Sequence, residues 1–213
     1  MQQKVLARIL CPFQRLWNRI CHKENHRLIS KTIAHDEPCI RCVMPTKMKR
    51  GVIKDVAFLP LEHGTGASVL RLNYTTLDFC VDYGKRLDKE KHQLGALLKF
   101  CQDDVDKVNE WAQSDASNVT NEETGEAHVN GMCAHLQYSP MDGLKYVKQD
   151  RDYYTDSCIS TPMHADLEFN EPLEKGLVKT RMRKYNNELI KLCKKAFMKN
   201  DELGDWTDVN KAP

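Results

Sequence analysis

Residues His164, Asp166 and Glu168 recur at every second position of a stretch in which Met163, Ala165, Leu167 and Phe169 fill the places between. Side chains along a strand point to opposite faces in turn. The pattern therefore predicts a half-buried strand whose polar face carries the imidazole and both carboxylates, about 6–7 Å from one to the next. Such a set can hold a divalent metal or pass a proton. Residues 132–138 offer a partner strand, with Met132, Ala134, Leu136 and Tyr138 inward and Cys133, His135 and Gln137 outward. Arg71, from an earlier strand-like segment, would steady developing negative charge. His164, Asp166, Glu168, His135 and Arg71 form the candidate catalytic set of a metal-assisted phosphodiesterase or nuclease. The competing expectation is plain: an antiparallel strand over a core shows polar residues to water.

Two further sets of residues could bind something. Cys39 and Cys42 make a C-x2-C pair with His35 just upstream, the spacing of half a structural zinc site. A second pair at usable distance is missing, so Cys133 and His135 would have to complete it, and thiols buried in a strand are the alternative. Cys80, Cys133 and Cys158 are candidate nucleophiles only where a cation or helix N-terminus lowers the thiol pKa. The N-terminal region is the stronger interaction signal. Over residues 1–33 seven cations oppose the single acid Glu24. Val5, Leu6, Ile9, Leu10, Phe13, Leu16, Trp17 and Ile20 form a helical stripe, kinked by Pro12. Phe13, Leu16, Trp17 and Ile20 would face a protein partner or a second copy; the basic residues between them also suit nucleic acid or the surface of an anionic membrane.

These residues need a scaffold. The chain has 213 residues, net charge +2 and nine cysteines, enough length for one core without staples. The odd cysteine count and the apolar runs around the thiols predict reduced cysteines and a cytoplasmic protein. No run approaches the roughly 18 apolar residues of a membrane span, and the N-terminus, with arginines interrupting its apolar stretch and no small-residue cleavage site after it, is not expected to be a signal peptide. Walker, G-x-G-x-x-G, H-E-x-x-H and G-x-S-x-G motifs and an RNA-binding aromatic signature are absent, which removes most common nucleotide-dependent and hydrolase classes.

Residues 39–44 read as a strand, 46–51 as a basic turn, 52–59 as a second strand and 67–74 as a third. Thr76 caps a helix to about Leu87, residues 94–100 suit strand or helix, and Asp103 or Asp104 caps a helix ending near Ala112. Residues 113–128 are polar and read as a flexible loop, 129–138 as a strand, and 177–199 as a long helix with a face of Lys and Arg. The expected fold is α+β: a mixed or antiparallel sheet with helices packed on one side and amphipathic helices at both termini. The expected division is a basic helical segment at 1–33, the α+β domain at 34–199 and an acidic tail at 200–213.

Three segments carry a family resemblance: Pro38-Cys39-Ile40-Arg41-Cys42-Val43, Ala67-Ser68-Val69-Leu70-Arg71-Leu72-Asn73-Tyr74 and His164-Ala165-Asp166-Leu167. Together they resemble short, uncharacterised bacterial proteins of mobile elements and anti-phage defence, over roughly residues 35–170. The resemblance implies a bacterial cytosolic protein in a multi-gene system and assigns no residue a role. The leading expectation is a small interaction or accessory module docking through its N-terminal helix. The alternatives are the metal-assisted phosphodiesterase and a zinc-stabilised nucleic-acid binder using Cys39, Cys42 and the basic terminal helices.

Overall fold

The computed structural model describes residues 29–87, 91–114, 129, 131–140, 163–174 and 176–207. Its strands are β1 (Cys39–Val43), β2 (Met48–Lys49), β3 (Val52–Ile53), β4 (Gly66–Arg71), β5 (Ala96–Phe100), β6 (Ala134–Tyr138), β7 (His164–Phe169), β8 (Lys194–Lys199) and β9 (Glu202–Leu203). The helices are α1 (Leu77–Leu87), α2 (Gln102–Gln113) and α3 (Leu177–Leu192). Seven strands form one sheet in the order β6-β7-β4-β1-β5-β8-β9, and β2 and β3 form a separate hairpin. Every strand pair is antiparallel, and the fold is α+β. No helix among the described residues is long and apolar enough to cross a membrane.

The central strands are apolar on both faces, and this decides where the helices go. Cys39, Val43, Ala96, Leu98 and Phe100 share one core with Val105, Val108 and Ala112 of α2 and Met182, Tyr185 and Leu189 of α3. Ile40, Cys42, Leu70 and Leu97 face the other way, into a smaller core with Cys80 of α1. Helices expected on one side thus lie on both: α2 and α3 cover the first face and α1 part of the second.

Local chemistry explains most element ends. Thr76 Oγ1 accepts from the Phe79 N–H at 3.2 Å, as its place before α1 predicts. At α2 the cap is Cys101 rather than an aspartate, and Asp104 reaches back to accept the Cys101 N–H at 3.1 Å. The third expected strand stops at Arg71 and continues as a 3-10 turn, Leu72–Tyr74. The second is only Val52–Ile53; the chain after it turns, tied to α3 by Asn186 Nδ2 on the Asp55 carbonyl (3.1 Å) and Arg183 Nε on Asp55 Oδ2 (2.8 Å).

The largest departure is at the C-terminal end. The helix expected through Lys199 ends at Leu192, and Lys194–Lys199 pairs with β5 instead. Completing the sheet beside β5 buries Ala196 and Cys193, a gain that outweighs the helix propensity of a lysine-rich segment. The expected tail contributes β9, and Thr207 exchanges backbone hydrogen bonds with Lys195 at 2.7 and 3.0 Å.

Candidate functional site

The alternation along β7 is realised from His164 on, whereas Met163, expected in the same core, precedes the strand and packs against the smaller one. Ala165, Leu167 and Phe169 enter the larger core, while β7 pairs with β4 on one side and β6 on the other. His164 lies opposite Leu70, Asp166 opposite Ser68 and Gln137, and Glu168 opposite Gly66 and His135. The partner strand expected from residues 129–138 is therefore in place, beginning at Ala134.

His164 is the unusual member. It is only 2% exposed. Its Nδ1 lies 2.6 Å from the Ser139 carbonyl, which can only accept, so Nδ1 carries the hydrogen and Nε2 a lone pair. Burial holds the imidazole below its ordinary pKa, against the opposing pull of Asp166. Nε2 has no hydrogen-bond partner and sits 3.8 Å from Asp166 Oδ1. A lone pair facing a carboxylate leaves two acceptors turned toward each other, an arrangement that a proton or a cation would complete. Both carboxylates fold over β4 where Gly66 has no side chain: a Cβ there would meet Glu168 Oε1 at 2.8 Å and Asp166 Cβ at 3.1 Å.

Of the rest of the candidate catalytic set, His135 reaches only Glu168 and Arg71 reaches none of the three. His135 is exposed and opposite Glu168, four residues along β7 from His164, a separation of about 13 Å. Arg71 follows Ala67 and Val69 in the strand alternation, on the face away from His164, and its guanidinium lies 5.4 Å from the Tyr138 ring. It is fully buried and committed: Nε and Nη2 donate to Glu37 Oε1 and Oε2 at 2.6 and 2.7 Å, Nη2 to the Thr32 carbonyl at 3.2 Å and Nη1 to the Ser30 carbonyl. Register between strands sets which residues share a face: it turns Arg71 away from His164, and leaves His135 on the shared face beside Glu168 but too far along the strand to reach His164.

The zinc pair fails because its two cysteines stand three positions apart on one strand. Cys39 belongs to the larger core and Cys42 to the smaller, on opposite faces of β1, so one metal cannot reach both sulfurs. Burial pushes both thiols up to about 12, and Cys80 likewise, so none is a nucleophile at neutral pH. Cys158 and the partner-binding residues Phe13, Leu16, Trp17 and Ile20 lie outside the described residues. Among the described residues, the side-chain cluster with metal-ligand geometry is His35, Asp103 and Asp106, whose ligand atoms all fall within 4.8 Å of one another. It is a surface cluster at the start of α2, with His35 Nδ1 hydrogen-bonded at 3.1 Å to Asp106 Oδ2.

A different site is built from the basic turn. Lys49 and Val52 pair, and Arg50 (φ 51°) and Gly51 (φ 77°) occupy the two central positions between them. Two positive φ values in a two-residue loop define the type I′ turn whose twist matches a hairpin, and glycine is the residue that adopts it without strain. Met48 and Ile53 pair on the inner face: Ile53 is in the core, and Met48 Sδ is the atom nearest to where a Gly95 side chain would begin. Lys49 and Val52 are left outward and exposed. Residues 46–54 hold Lys47, Lys49, Arg50 and Lys54 and no acid. Lys54 Nζ donates to the Thr46 carbonyl at 2.9 Å; Lys49 and Arg50 have no carboxylate partner among the described residues. On α3, by contrast, Arg181, Arg183 and Lys191 are ion-paired with Glu171, Asp55 and Glu188. Sequence reasoning marked these residues only as a basic turn; the Arg-Gly pair inside a lysine run was the available signal.

No protein-family model, curated protein or solved structure matches the chain.

Proposed function

We propose that this chain is a non-catalytic accessory module that docks a nucleic-acid backbone through the hairpin of β2 and β3. The carrying observation is the cationic ribbon with a rigid base and no acid of its own. A two-stranded ribbon fits a duplex major groove, and unpaired lysine and arginine side chains are what phosphates recruit. The ion pairs along α3 favour the hairpin over that basic helix. The free cysteines support a reducing, cytoplasmic setting. The resemblance of three segments to bacterial defence and mobile-element proteins supports a multi-gene system. A protein partner docking on residues 4–22 belongs to the same reading.

The test is fluorescence anisotropy of a labelled duplex with the full chain. Reversing the ribbon charge (Lys49→Glu with Arg50→Glu) should weaken binding at least about tenfold, the scale of 1.4 kcal/mol. The reversal Lys179→Glu on α3 should change it little. Equal losses would move the interface to the helix; absence of binding by the unaltered chain would end the reading.

A second reading is favoured by one observation, the unpartnered His164 Nε2 beside Asp166. A divalent cation between them would open the phosphodiesterase alternative. Titration with Mn2+ should then give saturable binding that Asp166→Asn removes, and heat-free titrations would dispose of it.

A further inference from the structure

The sheet is split beside the hairpin. β1 pairs with β5 at five positions but with β4 only at Cys39↔Arg71 and Ile40↔Leu70. Past that point a side chain fills the gap. Arg41 Nη1 donates to the Ser68 carbonyl at 2.5 Å, and Arg41 Nε to the Ala57 carbonyl at 2.9 Å. The same Ala57 oxygen also receives Lys47 Nζ at 3.5 Å. Two cations thus converge on one neutral carbonyl, both half-buried, and neither has a carboxylate within ion-pair distance among the described residues.

Two like charges taken partly out of water and set side by side are unfavourable unless something compensates them. Backbone carbonyls do so only in part. The consequence is visible at Lys47, which burial and then Arg41 hold down at about 8. Burial lowers Arg41 too. Asp166, whose charge Arg41 feels, and the Tyr83 hydroxyl are the other titratable groups acting on Arg41 beside the thiol of Cys42, and Lys54 is engaged with Thr46. One flat guanidinium with its remaining Nη2 hydrogens free, beside one ammonium, matches a tetrahedral oxyanion.

The geometry points to a phosphate-binding slot at the split between β1 and β4, with Arg41 and Lys47 as its ligands. It deepens the docking reading, and rests on that reading only for the source of the phosphate: a nucleic-acid backbone or a free phosphate group. A bound dianion neutralises both cations at once. Since it favours the charged form of Lys47, linkage requires that phosphate bind more weakly as Lys47 loses its proton.

The experiment follows the Lys47 ammonium by NMR in the full chain as pH is raised, alone, with inorganic phosphate and with a short duplex. Inorganic phosphate should move the Lys47 midpoint upward. A rise of one unit corresponds to tenfold weaker phosphate binding to the deprotonated form. Lys47→Met should reduce phosphate binding at pH 7 by at least about tenfold with the fold retained, whereas Arg41→Met also removes the wedge and serves only with a spectrum showing the fold intact. A shift with phosphate but none with duplex keeps the slot, assigns it to a free phosphate group, and counts against nucleic-acid docking. A shift with duplex assigns the slot to the backbone. A Lys47 midpoint unmoved by either probe overturns the slot.

Discussion

Among the described residues Arg71 is the largest fully buried side chain, and its position explains why a charge in the core is tolerated. It closes a bidentate pair with Glu37, lies 4.6 Å from the Tyr74 ring, and ties down the carbonyls of Ser30 and Thr32. A buried pair stabilises little relative to an apolar replacement, but removing one partner strands the other. Arg71→Ala should therefore cost about 3–5 kcal/mol in urea unfolding, while Arg71→Met combined with Glu37→Leu should recover most of it. A double variant no better than the single one would mean that the carbonyl contacts, not the ion pair, hold the segment. At this scale the sequence was readable for His164, Asp166 and Glu168, because alternation reports a face directly. It was misleading for Arg71, because phase within one strand says nothing about which face a residue on another strand shares with it; Cys39 and Cys42, three positions apart on one strand, already face apart by the same alternation.

At the scale of elements, the edges of the sheet are closed by side chains as well as by strands. β6 is an outer strand, and α2 runs beside it. Asn109 donates from Nδ2 to the Ala134 carbonyl and accepts the Ala134 N–H at Oδ1, both at 2.9 Å, imitating a neighbouring strand. Gln102 Oε1 accepts the Leu136 N–H at 2.6 Å, and the Tyr185 hydroxyl donates to the same Asn109 oxygen at 2.8 Å. An open edge is a template for pairing with another chain. Asn109→Ala should lower stability by roughly 1–3 kcal/mol through the groups left unpaired. It should also make the protein self-associate with rising concentration in light scattering; a monodisperse variant with an unchanged unfolding midpoint would refute the edge-cap role. None of this was legible beforehand, since a helical Asn reads only as a weak helix former. The end of α3 was misread for a related reason: Lys194–Lys199 has ordinary helix composition, and its strand state follows from the vacancy beside β5, a tertiary fact.

For the whole molecule, buried thiols set the response to alkali. Burial holds Cys39, Cys42 and Cys80 at about 12 and raises Cys193 as well, while in the unfolded chain they ionise near 9.0. A folded pKa raised above the unfolded one gives stability that is complete below the unfolded value and lost as pH rises. Lys47 acts oppositely, since its folded value of about 8 lies below its ordinary 10.5, and burial lowers Lys195 as well, but these two amines stand against four thiols. Urea unfolding under reducing conditions should be level from pH 7 to about 8.5 and weaken above about 9, each net proton contributing roughly 1.4 kcal/mol per pH unit. Stability that holds or grows up to pH 10 would contradict the burial of these thiols. The α+β class was accessible from the mixture of short alternating segments and amphipathic helices. The placement of helices on both faces was not, because it depends on central strands that no single-strand pattern identifies as central.

The account's central claim is that the hairpin of β2 and β3 engages phosphates. The salt dependence of duplex binding tests it most directly, since each neutralised phosphate contributes about 0.9 to the slope of log affinity against log salt concentration. Replacing Lys49 and Arg50 together by Ala should lower that slope by about 2. An unchanged slope, or binding by the unaltered chain that is indifferent to salt, would contradict the claim.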